Sequence, residues 1–380
     1  MRRTTPLLSL LSLLILGACE SEDFSDGLGL GPSEEPSVQC VVPTAQLFDG
    51  GPGKDGIPAL TDPAMVGPQD PEAEWLEPQD RVVGLVVDGQ AFAIPHAVSW
   101  WHEIVNLNVR GHTLAVTYCP LTGSSLAFDR QVVGGDEFGV SGLLYQSNLV
   151  LYNRSTRESL WSQMGRVEVC GVDPDMALPM VPVFEMTWEG WRTLHPETRV
   201  PAHLPGADQL FGLYQYPYGD YEESEFIFFP VNNADDRRPP KERVLGIPGG
   251  ERALPGSSPG TEAGGGESVA FPFGELDGLG PVAAVHTQAR GEPVVVFWSR
   301  EWQGAAAFRP VLDGEPLTFR ATDATIVDEA TGSEWRLDGQ ASSGPLAGHR
   351  LPPVAEAYVA FWFAWGAFHP ESRLWTGEES

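Results

Sequence analysis

Positive charge is scarce in this chain. Its 380 residues carry 23 Lys and Arg against 52 Asp and Glu, a formal net charge of −29. Nothing in that balance replaces phosphate counterions, which excludes a nucleic-acid-binding protein. Cysteine is scarcer still, four in all, and with scattered histidines it serves a four-ligand zinc site poorly. His102-Glu103 is followed by Asn106 rather than a second His, so a zincin helix is excluded. Gly139-Val140-Ser141-Gly142 is one residue short of a nucleophile elbow. The carboxylates between Asp49 and Asp62 lack the spacing of a calcium loop. No metal or cofactor is expected. Long apolar runs are almost absent; Pro6 to Gly17 is too short to span a bilayer as a mature helix. Turn formers, in contrast, are plentiful. The 43 Gly and 34 Pro, with 42% hydrophobic residues, favour a soluble globular body of many short strands. The length suffices for two ordinary domains.

The start of the chain reads as an address. Arg2 and Arg3 precede the apolar run, and Leu16-Gly17-Ala18-Cys19 follows it. Charged, apolar and small segments leading into a Cys are the order of a bacterial lipobox, so residues 1–19 are expected to be a lipoprotein signal with Cys19 lipidated. The mature chain would then carry 21 basic against 52 acidic residues, or −31, and would need a lipid to stay at an anionic surface. Residues 20–43 read as an acidic Gly/Pro/Ser tether. The Gly27-Leu28-Gly29-Leu30-Gly31 run inside it lacks the strand and helix a nucleotide loop needs. The expected location is the cell envelope, lipid-anchored and extracytoplasmic.

Self-comparison is more informative. At a separation of 174 residues, Trp161, Trp188 and Trp191 match Trp335, Trp362 and Trp365. His195-Pro196-Glu197 matches His369-Pro370-Glu371, and Arg199 matches Arg373. With 12 Trp in the chain, one offset yields roughly 0.2 Trp coincidences by chance. Upstream the offset becomes 180: Arg110-Gly111 matches Arg290-Gly291, and Ala127-Phe128 matches Ala307-Phe308. Arg81-Val82-Val83-Gly84 stands beside Arg243-Val244-Leu245-Gly246. The expectation is a mainly β (α+β) protein of two homologous β-rich units, barrel- or sandwich-like, with short helices. A lead-in (44–80) precedes the first repeat (81–200), a connector (201–242) joins the two, and a degenerate second repeat (243–375) follows. The Gly/Ser/Pro-rich stretch 248–267 reads as a loop.

Within a unit, Asp88-Gly89 marks a tight hairpin turn. Leu114–Tyr118, Ser125–Phe128 and Leu149–Tyr152 read as strands, and Val98–Val105 reads as a short helix. Trp188 to His195 has helical spacing closed by Pro196. The tryptophans read as core, and His195 and His369 as helix-ending residues with a structural role.

Residues shared by both units should hold the fold, so reactive groups present in one unit are the better functional candidates. The first unit alone carries Trp101-His102-Glu103 and Tyr118-Cys119-Pro120-Leu121-Thr122; Ser299 stands at the position of Cys119, and an apolar stretch around Val282 at that of His102. A Cys leaving a strand into a Gly-bearing turn is placed to be accessible. A helix or backbone nest starting near Thr122 would stabilise its thiolate. Thr122 occupies the second position of a Cys-x-x-Cys spacing, where its hydroxyl reaches the sulfur, and His102 is the proton partner. Against this stands the plain reading of Cys119 as a small buried hydrophobe. With Cys19 lipidated, Cys40, Cys119 and Cys170 remain. One disulfide and one free thiol is the simple outcome in an oxidising compartment, with Cys40 or Cys170 a candidate resolving partner for Cys119.

Five blocks in order resemble the bacterial domain of unknown function 3179: Gly56–Pro63, Trp101–Asn106, Thr117–Leu121, Phe138–Leu143 and Ser159–Gln163, in a resemblance that extends over roughly residues 54–375. Members of that family often read Cys-Pro-Leu-Cys, some with selenocysteine second, which implies redox chemistry. Thr122 departs from that pattern and puts dithiol exchange in doubt. Tyr145, Ser147, Tyr152, Arg154 and Trp161 also match, with Arg154 an anion-steadying candidate and Glu103 and Tyr118 supporting ones. The leading functional expectation is a thiol-dependent redox role centred on Cys119, His102 and Thr122. The runner-up is a non-enzymatic lipoprotein that binds a protein partner or small molecule in the groove between its units. A third reading is copper capture by Cys119 and His102.

Overall fold

The computed structural model describes residues 38–155, 158–174, 176–203, 215–250, 254, 267–322 and 324–377. The apolar, β-branched run from Arg81 pairs back on itself as strands β1 (Arg81–Val87) and β2 (Gln90–Pro95). Asp88 and Gly89 join them at φ 45° and 78°, the left-handed pair that a two-residue hairpin turn requires. Helix α1 (His96–His102) follows. It ends earlier than the expected Val98–Val105 helix, because Glu103 at φ 55° stops it and Ile104-Val105 enter a strand. β-branched side chains fit the pleat better than another helical turn.

Strands β3 (Ile104–Val109), β4 (His112–Cys119) and β5 (Ser124–Asp129) form an antiparallel meander. Strands β6 (Phe138–Tyr145), β7 (Asn148–Asn153), β8 (Leu160–Ser162) and β9 (Val167–Gly171) form a second sheet. Strand β10 (Phe184–Thr187) then returns to pair with β1 and leads into helix α2 (Trp188–Leu194), whose first turn is capped by the Thr187 hydroxyl. The same order runs again: β11 (Arg243–Ile247), β12 (Val269–Pro272), α3 (Phe273–Gly278), the meander β13 (Val282–Ala289), β14 (Glu292–Ser299) and β15 (Gly304–Phe308), then β16 (Phe319–Ala321), β17 (Ile326–Asp328) and β18 (Glu334–Trp335). Strand β19 (Tyr358–Phe361) returns to β11 and leads into α4 (Trp362–Phe368). The protein is thus mainly β, in several sheets with few short helices.

The two halves agree in detail. Cys119 pairs with Ser124 across β4–β5, and Ser299 with Gly304 across β14–β15. Gly84 lies under the Trp191 ring and Gly246 under the Trp365 ring, where a Cβ would come within 2.3 Å and 2.0 Å. Each indole donates to a hydroxyl seven residues on, Trp191 to Thr198 at 2.8 Å and Trp365 to Ser372 at 2.9 Å. The backbone N–H groups of His195 and His369 close the two helices onto Trp191 and Trp365 carbonyls.

The halves are locked together rather than strung apart. Thr187 N–H donates to Trp302 O and Phe361 N–H to Thr122 O, at 3.0 and 2.8 Å. Helix α2 shares a core with Phe297, Ile326 and Trp335 of the second half, while Phe363 and Phe368 of α4 share one with Cys119, Leu151 and Trp161 of the first. At the seam Glu185 is buried against Arg81 at 2.7 Å and His96 at 3.6 Å. Burial opposes its ionisation, yet Arg81 and His96 hold its carboxyl well below the usual range. The expected tether also ends early: Gln39–Cys40 pairs with β9 and Val42 is buried. The leader, Cys19 and most of 248–267 lie outside the described residues.

Candidate functional site

Cys119 ends β4 with its side chain fully buried. The Thr122 hydroxyl and the N–H groups of Thr122 and Leu149 reach its sulfur, as Thr122's spacing predicts. Burial, reinforced by the neighbouring Glu103 carboxylate, outweighs these contacts and pushes the thiol up to about 11. An accessible, activated thiolate is therefore not what the fold builds here. Residues 120–123 form a turn, and no helix starts at Thr122 to lend its dipole.

The other expected members fall differently. Glu103 is buried at the left-handed end of α1, and desolvation pushes its carboxyl up to about 8. His102 turns Nδ1 to the carbonyl of Pro58 at 2.8 Å, and burial lowers its imidazole. The titratable group that acts on the thiol is thus Glu103 rather than His102. Tyr118 faces the opposite side of β4, stacked on His96 with ring centroids 4.0 Å apart and its hydroxyl 3.5 Å from Glu222. Arg154 is paired with Asp55 beside the Tyr152 ring, partly exposed. Cys40 and Cys170 form a disulfide with each other, so neither serves as a resolving thiol, and Cys119 is the free cysteine among the described residues. No group of three or more His, Cys, Asp or Glu gathers for a metal among the described residues, which leaves the copper reading without a ligand set.

Around the thiol lies a buried polar network that residue-by-residue reading of the motifs overlooks. Asn148 Nδ2 donates to Thr122 Oγ1 at 2.9 Å and to Gln163 Oε1 at 2.7 Å. Ser124 Oγ donates to Gln163 Oε1 at 2.7 Å, and Gln163 Nε2 donates to Thr117 Oγ1 at 2.8 Å. Asn148 opens β7 immediately after Gln146 and Ser147, two buried residues at φ 52° and 64°. Non-glycine residues held left-handed in a sealed turn are costly and persist where neighbours over-determine them. The sequence signal was a run of polar residues inside strands that are otherwise apolar.

The described part of the connector supplies those neighbours. Ser147 donates to Phe229 O at 2.9 Å, and Asn232 N–H donates to Gln146 Oε1 at 2.7 Å. Tyr221 donates to Leu121 O at 2.9 Å, beside the thiol turn. Lys241 pins the segment from within: its Nζ donates to the carbonyls of Tyr221, Ser224 and Phe226 and lies 3.4 Å from the Tyr221 ring centroid. Residues 215–241 are thus a strap over the Cys119 region rather than a mere link. What remains beneath it is a cavity of about 30 Å³ lined in part by Glu103, Leu121 and Tyr218.

The equivalent place in the second half is open. Ser299, Trp302 and Leu337 stand where the first half has Cys119, Thr122 and Gln163, so among the described residues these positions do not repeat the polar network. There a cleft of about 250 Å³ lies at the seam, walled by Thr193 and Leu194 of α2 and by Ser299, Trp302, Trp335 and Leu337 of the second half. A wider depression of about 590 Å³ lies between the strap and Phe363, but its arginines are taken up by Asp235, Glu242 and Glu275.

One family, described as a protein of unknown function (DUF3179), matches residues 54–372. No curated protein and no solved structure matches the chain.

Proposed function

The chain belongs to the DUF3179 family of proteins of unknown function, and from that premise we propose that it is a ligand-binding protein of the cell envelope, held at the membrane by a lipid on Cys19. One observation carries the reading. The two halves follow one plan, yet the position that is filled and strapped over at Cys119 is a cleft at Ser299. Ligand sites are concave, largely apolar and furnished with a few polar groups. This one uses walls from both halves, as a groove between paired units would. Cys119, protonated and enclosed, is a packing residue in this reading.

The test is a saturation-transfer NMR screen of a polar metabolite library against wild type, Cys119→Ser and Thr193→Trp, the last filling the cleft from its exposed rim. Ligands that survive Cys119→Ser and vanish on Thr193→Trp support the reading. Silence across the library, or binding lost with the thiol, overturns it.

A thiol-based redox role has one observation in its favour. Glu103 is a buried carboxyl whose charge acts on Cys119, so the two titrations are linked. That chemistry requires the strap to lift, and it predicts alkylation of Cys119 in the folded, unreduced protein.

A further inference from the structure

We propose that the seam cleft binds a neutral six-membered-ring sugar, an inference that rests on the binding reading above and names the ligand of that site. Its size comes first. About 250 Å³ is just under the usual range for drug-sized ligands of roughly 300–1,000 Å³, which suits one substituted ring rather than a chain of them.

The wall chemistry narrows the class. Trp302 is half-buried, with one edge laid against helix α2 where Gly190 carries no side chain; a Cβ there would meet the indole at 2.6 Å. Trp335 is fixed by its indole N–H on Asp328 at 3.1 Å. Both residues line the cleft, Trp302 half-buried and Trp335 almost wholly buried behind it, and side chains already held by their packing lower the cost of binding. Thr193, exposed, and Thr325, half-buried, also line the cleft, while the Ser299 hydroxyl accepts from Trp302 N–H at 3.3 Å. A pyranose presents apolar C–H faces to such rings and hydroxyls to such rims.

Charge excludes the neighbouring classes. Arg336, the cation of the cleft, is already bidentate on Asp338, at 3.1 and 2.6 Å. Asp338 also holds Arg350 at 3.1 Å and lies 3.3 Å from His195. Glu301 is exposed on the rim, and the chain carries −29 overall. Among the described residues of the lining no uncompensated positive charge awaits a carboxylate or phosphate, so an anionic ligand is disfavoured. A purely aliphatic ligand would leave the polar rim of Thr193, Thr325 and Glu301 unused.

The experiment titrates methyl β-D-glucopyranoside, methyl β-D-galactopyranoside and N-acetylglucosamine into the full chain by saturation-transfer NMR, with phenylacetate as the anionic aromatic control. We expect at least one pyranose to bind with a dissociation constant on the order of 1 mM, as for a small ligand at ordinary efficiency per atom. Trp302→Ala should weaken it at least tenfold, and Thr193→Trp should abolish it. Should Trp302→Ala fail to fold, Thr193→Trp, changed at an exposed position, decides. Phenylacetate binding without any pyranose overturns the sugar inference and leaves the cleft reading standing. Pyranose binding indifferent to Thr193→Trp overturns the site, and silence from all three sugars overturns the inference outright.

Discussion

Reaction of Cys119 with iodoacetamide tests the central physical argument, because the thiolate is the reacting species. At pH 8 a free thiol near 8.5 is about one-quarter ionised. A thiol at about 11 is ionised to about one part in a thousand, a roughly 240-fold deficit on that free-thiol reference. A more basic thiolate is a better nucleophile, and a Brønsted slope near 0.45 over about 2.5 pH units returns roughly 13-fold. Electrostatics alone therefore slows the reaction about 20-fold. Steric closure adds the free energy of lifting the strap, each 1.4 kcal/mol of which is another tenfold. Residues 215–241 are held by the three carbonyl bonds of Lys241 and by Tyr221 on Leu121, so at least two further decades are expected at about 1 kcal/mol per bond. The folded protein should react more than about 10³-fold slower than the same protein in 6 M guanidinium. Lys241→Met, which leaves those carbonyls without their cation, should recover at least tenfold of the rate while secondary structure by circular dichroism is unchanged. Alkylation of the native protein within threefold of the denatured rate would refute the reasoning and return the thiol to the list of catalytic candidates.

Reducing the Cys40–Cys170 bond, which closes a 130-residue separation, should lower unfolding free energy by about 2–5 kcal/mol in a guanidinium melt; an unchanged midpoint would show that the amino-terminal strand is held by other contacts. Gly84→Ala and Gly246→Ala each drive a methyl into a tryptophan ring and should each cost about 1–3 kcal/mol or more by denaturant midpoint, with like effects in both halves. The carboxyl of Glu103 titrates at about 8 when folded against about 4.3 unfolded. The folded state therefore holds the extra proton between those values, and stability falls as pH rises through that window. Glu103→Gln should flatten this descending limb and gain on wild type progressively from pH 5 to 8; parallel stability curves for the two proteins would contradict the assignment.

The matched positions were legible because they are rigid, large residues. Trp191 and Trp365 each need a glycine beneath the ring and a hydroxyl seven residues on, and those constraints leave a pattern in the chain itself. Strand positions were legible for a similar reason: the β-branched run at 81–87 and the Asp88-Gly89 turn state their own geometry. The Thr122 contact to Cys119 followed from spacing alone. The strap was not legible, since Tyr221 and Lys241 lie in a Tyr-, Asp- and Pro-rich stretch without periodicity, and their partners are distant in sequence.

Local chemistry, then, was sufficient for fold class, turns and the pairing of equivalent positions, because propensity and patterning act over a few residues. The ionisation of Cys119 and Glu103, the union of Cys40 with Cys170, and the contrast between a filled position and an open one were decided only in three dimensions. Desolvation depends on everything that packs around a group, and a cavity is defined by side chains that the sequence keeps more than a hundred residues apart.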